Sequence, residues 1–300
     1  MYTLAHLSDI HLSPLPRVRI SDLFSKRITG YLNYRKNRAH TLTDGTLELL
    51  IDDIKFRNPD HIALTGDLVN IALDEEFENT ASWLKALGSP ERVSLVGGNH
   101  DAYVHGAFQK AMRAWSPYMT GDNSKKPAFP YLKRRGALAI IGLSSAVPKP
   151  PFFATGTLGN RQLVALEALL NKLEDEDSIR IILIHHPPHP DATKAYKRLT
   201  DGGALIRILE KCGAELVLHG HTHKRSTRYI RTENGKSIPI IGVPSASSSF
   251  GGHGEPAGYN LFEFKGVRTN CEIIHIKRDF IAPETIAETS NHQLTSPGQS

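Results

Sequence analysis

Short apolar runs, each ending in a polar or glycine-containing turn, alternate with amphipathic stretches from the amino terminus as far as His223. A run of four to six apolar residues bounded by turn signals has the length of a buried β-strand. Strands that alternate with helices are typical of an α/β fold. The predicted strands of this part are Thr3–Leu7, His61–Leu64, Val93–Val96, Leu138–Leu143, Ile179–Ile184 and Glu215–Leu218.

Apolar residues recur at helical spacing in four of the intervening stretches. The predicted helices are Thr41–Phe56, Glu75–Leu87, Arg161–Leu173 and Gly203–Lys211. Thr200 or Asp201 is the expected N-cap of the last helix, and Gly213 is expected to end it.

After His223 the pattern changes to strands joined by turns, with no helix between them. These strands are predicted at Arg228–Arg231, Ile238–Val243, Tyr259–Phe264 and Cys271–Ile276. An α/β part followed by a β-rich part predicts an α/β fold of two packed mixed β-sheets flanked by helices, in one domain over residues 1–280. The polar residues 281–300 are expected to form a disordered tail.

The composition excludes several classes of protein. The only cysteines are Cys212 and Cys271, without CxxC spacing, so neither a disulfide framework nor a cysteine metal site is indicated. No run of roughly 18 apolar residues is long enough to span a membrane. The amino terminus lacks the features of a signal peptide. A cytoplasmic protein is therefore expected, with peripheral attachment to a membrane left open.

Five polar clusters follow predicted strands, each at the carboxyl end. They are Asp9-Ile-His11, Gly66-Asp67, Gly98-Asn99-His100-Asp101, His185-His186 and Gly220-His221-Thr-His223. Ligands of α/β sheets collect outside the carboxyl ends of the strands, so five separate pieces of chain can meet at one place.

Aspartate, asparagine and imidazole side chains are ligands for divalent Mn, Fe or Zn. Taken singly, each cluster has a simpler explanation, because Gly-Asp is a common turn and a lone histidine can lie on the surface or in the core. All five together at strand ends favour a metal site.

The ordered set resembles the calcineurin-like metallophosphoesterase superfamily, whose pattern is Asp-x-His, Gly-Asp, Gly-Asn-His-Asp or -Glu, a histidine after a strand, and Gly-His-x-His. The resemblance spans about Thr3 to Val243 and implies a four-layer sandwich that holds two divalent ions, Mn, Fe or Zn. It implies that Asp9, His11 and His223 hold one ion, that Asn99, His185 and His221 hold the other, and that Asp67 bridges them. His185 is preferred over His186 because it stands two residues before Pro187.

The same resemblance implies hydrolysis of a phosphodiester or pyrophosphate-type bond. Two cations about 3.5–4 Å apart can share a water, lower its pKa and supply a bridging hydroxide as nucleophile. His100 is expected to protonate the leaving oxygen or to bind the phosphate, and Asp67 to serve catalysis as the bridge. Several relatives carry an aspartate that orients this histidine, and Asn70 stands at that position here.

Asn70 also distinguishes this chain from protein phosphatases and purple acid phosphatases. Bacterial phosphodiesterases remain, including enzymes for cyclic nucleotides, glycerophosphodiesters and UDP-diacylglucosamine. The expected substrate is a small anionic phosphoester, with nucleotide-linked and lipid-linked forms both open. Other hypotheses are a phosphomonoesterase, a nuclease and a metal-free binding module, the last disfavoured because the ligand set is complete. A homo-oligomer is left open.

Residues 17–38, within a basic insert over about 14–40, mix seven Lys or Arg with one acid and several apolar residues. Two interpretations have equal weight: contact with an anionic membrane, or a helical insert packed on the domain with its cationic face in solvent. Nucleic acid is a weaker third. Residues 187–197 and 245–258, which include His253, are either pocket loops or surface loops.

Overall fold

The computed structural model describes residues 1–37, 45–252 and 254–294. They form two six-stranded mixed β-sheets with helices packed against them, which confirms the predicted fold class.

The first sheet combines the earliest strands of the chain with the latest. Its members are β1 (Tyr2–Leu7), β2 (His61–Leu64), β3 (Val93–Leu95), β10 (Gly258–Lys265), β11 (Glu272–Ala282) and β12 (Thr285–Leu294). The order is β12-β11-β10-β1-β2-β3. Strands β1, β2 and β3 are parallel, whereas β10 pairs with β1 in antiparallel orientation and continues as a meander.

The second sheet holds the middle of the chain. Its members are β4 (Tyr131–Arg135), β5 (Leu138–Gly142), β6 (Ile179–Leu183), β7 (Leu216–His219), β8 (Ser226–Arg231) and β9 (Ser237–Gly242). The order is β4-β5-β6-β7-β9-β8, with β5, β6, β7 and β9 parallel.

Helices cover the outer faces of the sheets. They are α1 (Arg27–Asn37), α2 (Thr46–Arg57), α3 (Asp74–Leu87), α4 (Ala107–Ala114), α5 (Asn160–Glu174) and α6 (Gly202–Cys212). Helices α2, α3 and α4 pack on the first sheet, and α5 and α6 on the second. A third apolar cluster lies between the sheets. Side chains alternate across a strand, so Leu4 faces this inner layer while Ala5 and Leu7 face the helices.

The helix predictions hold with adjusted ends. Residues 41–44 of the first predicted helix lie outside the described residues, and α2 begins at Thr46. Asp201 precedes α6, but its carboxylate does not cap that helix, because it accepts hydrogen bonds from the amides of Leu158 and Gly159 instead. Gly213 ends α6 with a positive φ of 73°, as predicted.

The prediction of a disordered tail is wrong for Thr285–Leu294. This segment is β12, which pairs with β11 along the edge of the first sheet. Its side chains are mostly polar and exposed, and composition therefore indicated disorder, whereas the backbone groups of β11 provide a template for pairing.

Strand β4 was absent from the prediction because Lys133, Arg134 and Arg135 conceal it in the sequence. Lys133 is nevertheless buried, and its ammonium donates hydrogen bonds to main-chain oxygens that include those of Pro90 and Val93. The charge of Lys133 is therefore satisfied by backbone oxygens and not by solvent.

The carboxyl ends of β1, β2, β3, β6 and β7 lie at one edge of the two sheets. The five polar clusters of the sequence all follow these strands directly. Among the helices of the described residues, none has the length and apolar character needed to cross a membrane.

Candidate metal centre

The loops after β1 and β2 are joined by main-chain hydrogen bonds that fix the first two clusters together. The Asp9 amide donates to the Gly66 oxygen at 2.9 Å, and the His11 amide donates to the Asp67 oxygen at 3.0 Å. The loop after β7 reaches the same place, since the His221 amide donates to Asp9 Oδ2 at 2.9 Å.

Five predicted site residues have backbones in the left-handed region that non-glycine residues rarely adopt. They are Asp9, His11, Asp67, His221 and His223, with φ between 44° and 68°. Such conformations cost about 1–2 kcal/mol each and persist where the surrounding structure imposes them. Their concentration in these loops makes this place a candidate functional site.

Gly98 and Gly220 allow the loops to approach one another closely. A Cβ on Gly98 would collide with the carboxylate of Asp67, and a Cβ on Gly220 would collide with the hydroxyl of Ser8. Any side chain at Gly98 or Gly220 would therefore displace the group that lies against it.

The first group of metal-capable side chains contains Asp9, His11 and His223, whose ligand atoms lie within 4.8 Å of one another. His223 Nε2 is 3.1 Å from Asp9 Oδ1. His11 Nδ1 is 3.1 Å from the Val69 oxygen. A carbonyl oxygen only accepts hydrogen bonds, so Nδ1 of His11 carries the proton and Nε2 presents a lone pair.

The second group forms around His185. Its Nδ1 donates to the Thr65 oxygen at 2.6 Å, which leaves the lone pair on Nε2. His185 Nε2 faces Asn99 Oδ1 at 3.2 Å, Asp67 Oδ2 at 3.3 Å and His221 Nδ1 at 3.2 Å. His221 Nε2 in turn donates to a main-chain oxygen at 2.8 Å. Four lone-pair atoms therefore converge, an arrangement that a cation stabilises.

The pKa values of His185 and Asp67 also indicate a place for a cation in this group. Burial lowers the pKa of His185, but the Asp67 carboxylate outweighs burial and raises the pKa to about 9 in the metal-free protein, where Nε2 carries a proton that a metal ion would replace. Burial raises the pKa of Asp67, but His185 and His100 more than offset it, so the pKa of Asp67 is lowered. The buried carboxylate thus demands a positive charge beside it, and the donor set fits a divalent ion.

His186 lies beside His185 but differs from it in hydrogen bonding. Its Nε2 donates to the Ala154 oxygen at 3.1 Å, and its Nδ1 accepts from Ser145 Oγ at 2.7 Å. Burial lowers the pKa of His186 to about 3. Both ring nitrogens are thus engaged by the loop that follows β5.

Asp101 organises the site although the sequence reasoning gave it no role. Its buried carboxylate accepts hydrogen bonds from the amides of Asp67, Leu68 and Gly98 at 2.8–2.9 Å. Burial and the charge of Asp67 raise the pKa of Asp101 to about 7. Its place at the end of the Gly-Asn-His-Asp block was the available signal.

His100 lies beside both groups and does not join the second one. Its amide donates to Asp67 Oδ1 at 2.7 Å, and its ring stacks on Tyr103 with centroids 5.3 Å apart. Its ring centroid is 4.7 Å from that of His11.

A cavity of about 490 Å³ opens onto these side chains. Its lining includes Asp67, Asn99, His100, His221 and His223, together with Lys26, Tyr103, Phe152, Phe153 and Lys197. Sequence reasoning did not place the phenylalanines or Tyr103 here. Of the two candidate loops, 187–197 contributes Lys197 to the wall, whereas Ser245 binds the main-chain oxygen of Asp9 behind it. His253 lies outside the described residues.

The sequence profile of a protein family described as calcineurin-like phosphoesterase matches residues 2–225. The chain belongs to the calcineurin-like phosphoesterase family. The match covers all five clusters and ends just after His223.

Two relatives of this calcineurin-like phosphoesterase have phosphodiesterase names. A Synechococcus sp. protein named "probable cyclic nucleotide phosphodiesterase" is 26% identical over 217 residues, which is 71% of this chain and 75% of that protein. The glycerophosphodiester phosphodiesterase GpdQ of Enterobacter lignolyticus is 23% identical over 239 residues, covering 79% and 76% of the two chains.

The fold is also that of a solved structure. A dimetal phosphatase from Danio rerio superposes with a TM-score of 0.62 at 13% identity and covers 98% of this chain and 99% of its own. At that identity the comparison establishes the shared fold of the calcineurin-like phosphoesterase and nothing finer.

Proposed function

We propose that this protein is a phosphodiesterase that uses two divalent metal ions to hydrolyse a phosphodiester or pyrophosphate-type bond. The observation that carries the proposal is the position of Asp67, whose ligand atom falls within 4.8 Å of both Asp9 with His185 and His11 with His100. One carboxylate thus lies between the two groups of potential ligands.

The proposed ligands follow from the convergence of lone pairs. One ion would be held by Asp9, His11 and His223, the other by Asn99, His185 and His221, and Asp67 would contribute to both sites. His185 is favoured over His186 because its Nε2 faces the Asp67 carboxylate, whereas the nitrogens of His186 make hydrogen bonds with groups outside the two ligand sets. Two metal ions bound there would activate a water as nucleophile and neutralise charge on the phosphate.

The chain's own groups would handle the leaving oxygen. His100 Nδ1 faces the main-chain oxygen of Asn70 at 2.5 Å, which fixes the proton on Nδ1. A proton can then pass to the leaving oxygen only from Nε2, and we assign His100 that role.

Lys26 would bind a substrate oxygen in the cavity. Its ammonium lies in the cavity wall, 3.1 Å from the Phe153 oxygen and 4.5 Å from the centre of the Tyr103 ring. The nearby Phe152 and Phe153 offer apolar surface for a second ester group, which a diester has and a monoester lacks. The phosphodiesterase names of the two relatives support the same choice.

The test compares bis-p-nitrophenyl phosphate with p-nitrophenyl phosphate in the presence of Mn²⁺, for wild type and Asp67→Ala. We expect the diester to be preferred, and the variant to lose about 10³-fold or more in kcat because it lacks the shared ligand. Asp52→Ala, at an exposed position on α2, is the matched control. Preference for the monoester would overturn the substrate class, and failure to bind metal would favour a binding module.

A further inference from the structure

Large apolar side chains are exposed on the basic insert and at Phe152 and Phe153 of the cavity wall. Phe24 is 84% exposed and Phe152 is 83% exposed, although buried positions are the rule for such residues. The apolar rim, as we term this surface, consists of Ile20, Phe24, Ile28, Leu32, Phe152 and Phe153. Ile28 and Leu32 are one turn apart on α1 and therefore share a face.

The rim comes from two segments that hydrogen bonds hold together. Lys26 Nζ donates to the main-chain oxygen of Phe153, which joins the basic insert to the loop after β5. Arg27 fastens the insert to the body, since its guanidinium donates to the main-chain oxygens of Ile71 at 3.0 Å and Ala72 at 2.6 Å. The apolar side chains are thus presented outward by an anchored segment.

Positive charge accompanies the exposed apolar groups. Residues 14–37 contain six Lys or Arg and a single acid, Asp22. Lys26 and Arg27 are used inside the fold, while the other four, Arg17, Arg19, Arg35 and Lys36, are exposed. Exposed apolar groups flanked by cationic ones complement the interface of an anionic bilayer, where the former enter the acyl boundary and the latter meet the headgroups.

We propose that the apolar rim and its four exposed cations dock this protein on an anionic membrane surface. Docking is a property of the surface and does not depend on catalysis. If the proposed function also holds, the natural substrate is an amphiphilic phosphodiester taken from that surface.

The test is sedimentation with vesicles of phosphatidylcholine alone or mixed with phosphatidylglycerol. Wild type is expected to pellet with the anionic vesicles. The pelleted fraction should fall at least tenfold when NaCl rises from about 50 to about 500 mM, because salt screens exposed charges. The double variant Ile20→Ser/Phe24→Ser and the triple variant Arg19→Gln/Arg35→Gln/Lys36→Gln should each remain in the supernatant.

A matched control is available near the amino end of β2, in the first sheet. Phe56 is 83% exposed, and the guanidinium of Arg57 lies 6.0 Å from the centre of its ring. Both lie at the end of α2 that precedes β2, away from the carboxyl end of that strand. Phe56→Ser/Arg57→Gln should pellet like wild type.

Hydrolysis of soluble bis-p-nitrophenyl phosphate separates the two proposals. Ile20→Ser/Phe24→Ser should keep wild-type rates on it, which also shows that the variant is folded. The docking proposal is overturned if wild type stays in solution with anionic vesicles, if neutral vesicles bind it equally, or if the control variant loses binding as well. It is also overturned if wild type is a dimer in solution that Ile20→Ser/Phe24→Ser converts to a monomer, because a second copy would then cover the rim.

Discussion

The Nδ1 nitrogen of His100 lies 2.5 Å from the main-chain oxygen of Asn70. The side chain of Asn70 donates to the Leu12 oxygen at 3.0 Å. The imidazole is therefore oriented by backbone, whatever side chain residue 70 carries. A neutral carbonyl also supports imidazolium less than a carboxylate does.

This relationship predicts a sharp contrast between two variants. Asn70→Ala should keep kcat on bis-p-nitrophenyl phosphate within about threefold, whereas His100→Asn should lower kcat by about 10²–10⁴, the usual contribution of a general acid. Metal content, measured by mass spectrometry, should be unchanged in both. A large loss in Asn70→Ala with intact metal content would show that the side chain, and not the backbone, positions His100.

The adjacent histidines provide a second contrast. His185→Gln removes the ring nitrogen that faces Asp67, Asn99 and His221, and we expect the purified variant to lose at least one metal ion per chain. His186→Gln breaks only the hydrogen bonds to Ser145 and Ala154 and should keep the wild-type stoichiometry. The reverse pattern would exchange their assignments.

Backbone strain at His223 predicts that glycine is more stable than alanine there, the opposite of their order in a helix. His223 has a φ of 54°, so the metal-free His223→Gly variant should be more stable than metal-free His223→Ala by about 1 kcal/mol. At the exposed helical residue Ser82 the order should reverse, with alanine favoured by about 1 kcal/mol. Urea unfolding in the presence of a chelator measures both pairs. Equal stability of the two His223 variants would mean that the loop relaxes without metal.

His61 predicts a loss of stability in acid. Burial and the charge of Lys133 lower the pKa of His61 to about 3, below its unfolded value of about 6.5. Between these values the unfolded chain binds the extra proton. The free energy of unfolding therefore falls as pH falls, by at most about 1.4 kcal/mol per pH unit from this residue.

Urea unfolding of wild type and His61→Gln at pH 7, 6 and 5 checks this expectation. The variant should show the shallower dependence on pH, and His105→Gln, at an exposed position, should follow wild type. If the unfolding free energies of wild type and His61→Gln depend on pH in the same way, the pKa of His61 is the same in the folded and unfolded chains.

The sequence predicted the parts of the fold whose side chains reflect burial. The strand Leu138–Gly142 could be predicted from its apolar run because a strand buried on both faces carries apolar side chains on both. Strands β4 and β12 could not be predicted in this way, since their stability comes from backbone pairing and, in β4, from a lysine that carbonyl groups solvate.

The candidate site could likewise be predicted only in part from the sequence. The motifs indicated which residues meet, because strand ends converge in any α/β sheet. They did not indicate the left-handed backbones, nor the support that Asp101 gives to three amides, since both depend on contacts between distant loops. Phe152 reaches the cavity mouth by a similar long-range route, through the Lys26 hydrogen bond to Phe153.

Strand β12 acts as a polar border for the first sheet. It separates β11, which carries Ile273 and Ile276, from surrounding molecules, and presents mainly hydroxyl, amide and carboxylate side chains in its place. Shortening the chain at Pro283 would uncover β11 with unpaired amides, the kind of edge that joins one copy to another. Resistance to aggregation therefore resides in the segment whose composition looks most dispensable.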